Sequence, residues 1–564
     1  MISLKRFFTL LVTAVMLLGL MGIFSSCGNG GTVKAEVIDG KYVPSVTVTW
    51  AWPCIGSSMA ELERHTDKDG DFDWTPGDTS WTKYAKENYG INLKLEWDIF
   101  DYGAFIGKLN NSILIGEIPD FLNVGIGDYA IDFIGKLYET DLIQPIGDEI
   151  MEYACSEYMD TVEHVGEQVF YSSTFNGEIY ALPHIVIDNG NNMFWWIRKD
   201  WLEAVNKTTP TSYEELIDVF KAFAYQDPDG NGQDDTYGLT MNLENAGAGS
   251  SLFFNLFGAF PNYWIEKDGK LVYGSVQPEM KTAISELRDL YTSGVIYSLD
   301  EEAGALTSGY GHGITNNKAG AVEQGRGTSP FNSVKQKNPS FDLIPVALTF
   351  TATGDEPVLS ATAATFRQYV VSKECKYPAV PVLLMNMFCE IELAGLDNPE
   401  IQTEYMYSAD ATSHFYNFAP CITQTIGNSR LEMTKRICEA LETGDTAGLG
   451  LGQDMQAYNY VTNYLENGDI NGWSYERIYS PEGSMKQYID NPVKEIRNLY
   501  QGVKTAYMLD HEPDLIANLT TTIILIVVGE ADLNTFDIAV EAWYDGGGTE
   551  ITAEVNEWYK NVKG

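Results

Sequence analysis

The chain has 564 residues, with 36 Lys plus Arg against 79 Asp plus Glu, for a net charge of −43. That acidity argues against a nucleic acid or an anionic membrane surface held by electrostatics, while 44% apolar and 12% aromatic residues rule out wholesale disorder. At roughly 150 residues per domain the length allows three or four folding units, or two or three large lobes sharing one chain.

The N-terminus reads as an export signal. Lys5 and Arg6 form a short positive region, and Phe7 to Ile23 is an uncharged, mostly apolar run of 17 residues, the length of a secretory signal and near the lower limit of a membrane span. Phe24-Ser25-Ser26-Cys27 then resembles a bacterial lipobox, with Phe24 where leucine is usual. Residues 1–26 are the expected signal peptide, Cys27 the lipid-attachment site and 27–43 a tether, because Gly28 to Thr32 is a flexible leash. An ordinary signal peptide with an incidental cysteine and an uncleaved anchor remain alternatives. The other six cysteines show no CxxC spacing, so zinc is not expected, and their pairing is not readable from sequence.

Val46 to Trp50 is β-branched and alternating, a first strand. Trp81 to Glu87 has helical character and stops at Gly90; Ile91 to Trp97 alternates as a half-buried strand; Phe105 to Ile115 is helical; Phe121 to Val124 is a short strand. This order implies a parallel α/β lobe. Thr211-Ser212-Tyr213-Glu214 reads as a capping box opening a helix. Its apolar stripe of Tyr213, Leu216, Ile217, Phe220, Phe223 and Ala224 follows, and Asp227-Pro228 ends it. A second helix runs from Glu279 to Thr292 with Gly294 as its stop. Ile523 to Val528 reads as a buried strand.

Between residues 227 and 238 lies the sharpest chemical pattern. Asp227, Asp229, Asn231 and Asp235 place side-chain oxygens at alternate positions, Gln233 offers a backbone carbonyl, and Gly232 sits where the chain must turn. This is most of an EF-hand-type loop, and hard oxygens on a flexible loop suit Ca²⁺ in a structural role. The twelfth position is Gly238 rather than glutamate, so Thr236, a remote acid or water must complete the shell; a metal-free acidic turn is the alternative. Asp67 to Asp78 has a similar alternation, but Phe72 stands where glycine is needed. It is a possible second site or an acidic surface loop.

Several stretches share the order of a known family. Gly116 to Asp120 resembles an "SGDLPD" turn, Gly177 to Pro183 resembles "GKIYALP", and Trp196 to Leu202 matches "WIRKDWL". The Pro210-Thr211 helix, the "DPDGNG" loop, Asp268-Gly269-Lys270 and a terminal helix through Glu554 to Tyr559 follow in turn. Over residues 44 to 560 the chain resembles extracellular solute-binding protein family 1, in its long lipoprotein branch. The resemblance implies an α/β, periplasmic-binding-protein-like (type II) fold with two hinged lobes and a cleft between them. Lobe 1 is expected at 44–188 and 323–368, and lobe 2 at 189–322 and 369–564.

The implied role is a lipid-anchored protein on the outer face of the plasma membrane. It would capture an oligosaccharide and deliver it to ABC permease subunits, with no nucleic-acid partner, no membrane contact beyond the lipid, and a monomeric state. Flat aromatic rings stack on sugar faces while polar groups bond the hydroxyls. Candidate ligand residues, at strand ends and crossings, are Trp50, Trp52, His184, Asp188, Asn192, Glu323, Arg326, Tyr416 and Trp473. For any one aromatic, core packing is the commoner fate, and Arg198 and Asp200 suit a structural pair. The competing class is an exported polysaccharide lyase or glycoside hydrolase, which needs two suitably spaced carboxylates; the sequence has no GxSxG, HExxH or P-loop.

Overall fold

A computed structural model describes residues 34–52, 75, 77–97, 99, 101–187, 193–241, 251–297, 311–408 and 414–563. The signal peptide, Cys27, most of the Asp67 loop, Asp188 and Asn192 lie outside these residues.

Two five-stranded mixed sheets organise the chain. The first has the order Ile91–Leu95, Val46–Ala51, Phe121–Ile126, Thr365–Val371, Ala181–Ile185. Its first three strands are parallel, and Thr365–Val371 runs antiparallel between its two neighbours. The second has the order Ile296–Tyr297, Tyr237–Thr240, Ala319–Gln324, Phe194–Arg198, Leu343–Val346. Its plan is the same: three parallel strands, then Phe194–Arg198 antiparallel to both neighbours. Both faces of the sheets are covered: every residue of the edge strand Ala181–Ile185 and of the inner strand Phe194–Arg198 is buried. Helices must therefore cover both sides.

The early elements form where the sequence places them. Helix Ser80–Tyr89 is capped by Thr79 and ends at Gly90, whose φ of 66° is the left-handed conformation glycine adopts without strain. Helix Tyr102–Ile115 is capped by the Asp101 carboxylate accepting the Ala104 amide at 2.7 Å. Helix Tyr213–Tyr225 presents its expected stripe to the second core. Its cap is shifted by one residue from the expected box: Ser212 Oγ accepts the Glu215 amide at 3.2 Å. The Glu215 carboxylate in turn takes the Thr211 amide and hydroxyl, each at 2.8 Å. This helix lies so close to the sheet that a Cβ on Gly238 would stand 2.3 Å from the Phe220 carbonyl oxygen, and one on Gly320 2.1 Å from the Phe223 ring.

Ile523 to Val528 is not a strand. It ends the helix Ala506–Val527, which buries Met508, Leu515, Leu519, Ile523 and Ile526 along one face. Those residues recur at helical spacing, and their packing against helix Pro278–Thr292 and the second core outweighs the β preference of a β-branched run. Among the described residues no helix is long and apolar enough to cross a membrane.

The expected boundaries near 323 and 368 do not coincide with changes of sheet. Ala319–Gln324 and Leu343–Val346 both belong to the second sheet, and Thr365–Val371 to the first. Helix Val380–Ala394 packs in the core of the first sheet, while the helices from Ala506 onward pack in that of the second. The strand following a crossing reports on pairing partners hundreds of residues away, which local patterning does not encode. A smaller helical cluster, Arg430–Thr443, Gln453–Asn467 and Trp473–Tyr479, has its own core around Met433, Ile437, Ala457 and Val461.

Candidate ligand-binding cavity and acidic loop

A cavity of about 340 Å³ opens at the end of the first sheet, with one residue, Arg326, reaching it from just past a strand of the second. His184 and Val186 come from the carboxyl end of Ala181–Ile185, Phe366 from the neighbouring strand, and Arg326 from just beyond Ala319–Gln324. This is where open α/β sheets bind ligands. The volume falls within the ~300–1,000 Å³ of typical small-molecule sites. The opposite wall is helix Val380–Ala394, through Phe388 and Glu392, and the segment carrying Gln424, Asn428 and Arg430.

His184 is 8% exposed, and its Nδ1 is buried without a protein partner. Burial, and secondarily the charge of Arg367, hold its pKa well below the usual imidazole value, so the ring is neutral. A neutral imidazole offers one donor and one acceptor. Tyr416 stacks on His414 at 5.6 Å and meets Tyr407 edge-on at 5.4 Å, which gives the wall a fixed aromatic surface. Arg430 is held by its Nη1 donating to the Tyr479 hydroxyl at 3.0 Å. Glu392 accepts from the Thr425 amide and hydroxyl and from the Asn428 side chain. Burial pushes its pKa up to about 7.

Of the nine candidate ligand residues, His184, Arg326 and Tyr416 line this cavity. Trp50, 1% exposed, is stacked between Trp52 and Phe121 in the first core, and Trp52 packs on Phe418. Trp473 is fully buried, its indole N–H donating to Asp342 at 3.0 Å. Glu323 is buried in its strand, where Oε1 accepts the Leu252 amide at 2.8 Å. These four do not line the cavity; their burial is what large apolar side chains, or an acid accepting from a helix start, achieve by packing. Sequence reading missed Phe366, Glu392, Tyr407, Gln424, Asn428 and Arg430, because no spacing or motif marks them; tertiary folding alone brings residues 366–430 against His184. Arg198 and Asp200 form the expected structural pair, two bonds of 2.8 and 2.6 Å.

In the acidic loop, Asp227 accepts the Asn231 and Gly232 amides at 3.1 and 2.9 Å, and Gly232 turns at a φ of 76°. Asp229 Oδ2 and Asp235 Oδ1 both take the Asn231 side-chain amide, at 3.0 and 3.1 Å. The two carboxylates thus converge on an amide donor, Asn231 Nδ2, while Asn231 Oδ1 faces the Gln233 amide. Gln233 stays in the loop through its amide, which donates to Asn231 at 2.7 Å. The fit is partial. Thr236 is committed, its hydroxyl donating to the Phe223 carbonyl at 2.9 Å. Asn317 and Lys318 donate to Asp229 and Asp235, and among the described residues no group of three or more His, Cys, Asp or Glu is arranged to hold a metal. In the second loop Asp78 pairs with Lys83 at 3.5 Å on the surface.

No family model matches the sequence. Lipoprotein LipO of Bacillus subtilis is 24% identical over 502 residues, 87% of this chain and 90% of that protein. The fructooligosaccharide ABC transporter substrate-binding protein FusA of Streptococcus pneumoniae is 25% identical over 360 residues, 60% of this chain and 61% of that protein. In sequence the chain is thus similar to a lipoprotein and, over a shorter stretch, to a protein named as an ABC transporter substrate-binding protein. An HMO-binding, ABC-transporter-associated solute-binding protein of Bifidobacterium longum infantis superposes with a TM-score of 0.56 at 16% identity, over 93% of this chain and 99% of that one. A FusA EF-hand mutant in complex with fructo-nystose superposes with a TM-score of 0.50 at 17% identity, over 92% and 99%. The α/β fold is that of periplasmic solute-binding proteins.

Proposed function

We propose that this chain is an extracytoplasmic, lipid-anchored solute-binding protein that captures an oligosaccharide and delivers it to an ABC importer. The observation that carries this reading is the cavity at the end of the first sheet, which Arg326 joins from beyond a strand of the second. It combines a buried neutral His184 whose Nδ1 lacks a protein partner, the Tyr416 face, and the Arg326, Gln424 and Asn428 side chains. Apolar ring faces and hydroxyl-directed polar groups are what a neutral or weakly charged sugar needs. The names of the relatives support the same class. Capture proceeds by closure of two lobes, each built on one sheet, around the ligand, which favours the closed form by its extra contacts there. Cys27 carries the lipid, and the Asp227–Asp235 loop takes one structural Ca²⁺, held by Asp227, Asp229, Asn231, Gln233 and Asp235. The ion would supply charge neutralisation and rigidity to the exit of helix Tyr213–Tyr225.

Titration calorimetry against a panel of plant and host oligosaccharides tests the function, with Tyr416→Ala and His184→Ala as controls. A sugar bound by the native chain and weakened at least tenfold by either change supports it. Tight binding that neither change touches places the site elsewhere. Catalytic turnover of a panel member returns the enzyme alternative. For closure, small-angle scattering with saturating ligand should give a smaller radius of gyration. For anchoring, Cys27→Ala should release the protein from the membrane fraction or leave it unprocessed.

A further inference from the structure

Helix Ser156–Val165 starts against the middle of helix Val380–Ala394, and the junction is fixed by one side chain. Asn386 Oδ1 accepts the Cys155 amide at 2.8 Å, and Asn386 Nδ2 donates to the Tyr153 carbonyl at 2.7 Å. Cys389 lies about one turn further along the same helix, so the clamp holds the Cys155 backbone beside the turn that carries Cys389. Both belong to the first core, Cys155 half-buried at its rim and Cys389 1% exposed within it. Cys155 is the N-cap of a ten-residue helix, a position where amides and the helix dipole favour a thiolate.

We propose that Cys155 and Cys389 form a reversible disulfide that ties the start of helix Ser156–Val165 to helix Val380–Ala394. The inference is independent of the sugar-binding reading. Its oxidant is a disulfide, either a small-molecule disulfide or an exported thiol oxidase. Cys155 as thiolate attacks one sulfur of that disulfide, forming a mixed disulfide and expelling one thiolate. Cys389 then attacks the Cys155 sulfur and expels the second. Two protein thiols and one disulfide thus give one protein disulfide and two free thiols, with both protons passing to solvent or to the departing thiolates.

The division of roles follows from the surroundings. A hydrogen bond with Cys389 is the chief cause, and the Tyr158 amide a further one, that lowers the Cys155 thiol below its ordinary range, against the effect of burial. The same contact, with burial, raises Cys389. The rim thiol is therefore the attacking group and the core thiol the resolving one. Cys375, Cys421 and Cys438 are buried thiols whose pKa is raised by burial, with no second thiol among the groups acting on them. The bond would brace the cavity as well, because Phe388 and Glu392 flank Cys389 on the same helix and line that wall.

The experiment uses the full chain, purified reduced and exposed to oxidised glutathione without denaturant. The expected result is the loss of the Cys155 and Cys389 thiols together, one cross-linked peptide pair containing residues 155 and 389, and a higher melting temperature that reverts with dithiothreitol. Cys155→Ser keeps a competent helix cap and should leave Cys375, Cys389, Cys421 and Cys438 unreacted. Cys389→Ala should stop the reaction at a glutathione adduct on Cys155. An unreactive Cys155, a stable glutathione adduct on Cys155 in the native chain, or a cross-link joining Cys155 or Cys389 to another cysteine would each overturn the proposal.

Discussion

The Glu392 carboxylate accepts the Thr425 hydroxyl at 2.7 Å, and this contact joins the cavity-lining helix to the segment that carries Gln424, Asn428 and Arg430. Asn428 adds a bond of 3.0 Å to the other oxygen. The acid is 5% exposed. Its donors favour the ionised form, but burial dominates and lifts the pKa from 4.5 to about 7.

A pH dependence follows with a definite sign. Between about pH 4.5 and 7 the folded chain holds the Glu392 proton while the unfolded chain has released it. The stability linked to this proton is therefore present at low pH and lost as pH rises through the folded pKa. Its full size is on the order of 3 kcal/mol, because each tenfold change in proton affinity is worth about 1.4 kcal/mol. Glu392→Gln keeps an acceptor without a charge. Its melting temperature relative to the native chain should rise between pH 5 and 8 and level off above. Parallel melting curves across that range would show that Glu392 does not titrate there.

How much of this was legible in the sequence depended on the range of the interaction that fixes each feature. Gly90 after Tyr89 marks a helix end within a few residues, and the stripe through Leu216, Phe220 and Phe223 marks a buried helix face. Both were readable because local geometry alone determines them. The helix through Ile523 was misread because its β-branched run is decided by a packing partner, helix Pro278–Thr292, more than 200 residues earlier. The cavity was half visible. His184 and Arg326 follow motif-bearing strands, whereas Phe366, Tyr407 and Arg430 arrive from a distant stretch and carry no signature until the chain folds.

Gly238 links the fold to the unfinished acidic loop. It occupies the twelfth position, where an EF-hand would place glutamate, yet any Cβ there would stand 2.3 Å from the Phe220 carbonyl oxygen. The helix–sheet contact forbids the ligand. Gly238→Ala should lower stability by about 1–3 kcal/mol through overpacking, read as a lower urea midpoint at unchanged slope. Gly238→Glu should be worse despite completing the sequence pattern. A stabilised Gly238→Glu variant would mean the strand shifts freely, contrary to this close packing.

Asp342 holds together the strand Leu343–Val346 and the helix Trp473–Tyr479. It accepts from Trp473 Nε1 at 3.0 Å and from Arg477 Nη2 at 2.6 Å, and the ion-paired side chains are 17% and 10% exposed. Removing one partner of such a pair leaves a buried charge, at a cost of about 3–5 kcal/mol. Because Glu476 lies 2.8 Å from Arg477 Nη1 and remains, Asp342→Ala should fall at or below the lower end. Asp342→Asn, which retains one acceptor, should cost less. Equal losses for the two variants would show that the retained acceptor contributes nothing and that the charge carries the whole effect.

Calcium at the Asp227–Asp235 loop would act through stability. An ion bound by the folded chain alone raises stability by RT ln(1 + [L]/Kd), about 2.7 kcal/mol at one hundred times Kd. The carboxylates of Asp227, Asp229 and Asp235 repel one another, and Asp229 is raised by burial together with both neighbours. A divalent cation relieves that repulsion, while Asn317 and Lys318 offset part of it without one. Chelation should therefore lower the melting temperature, and Asp229→Ala should cancel the response to chelator. Damage should begin at the exit of helix Tyr213–Tyr225, where hydrogen exchange would locate it, and sugar affinity should change little because the loop is absent from the cavity wall. Melting curves unmoved by both chelator and Asp229→Ala would make the loop an acidic turn held by its own hydrogen bonds. Loss of sugar binding at constant stability would instead assign the ion to the ligand site.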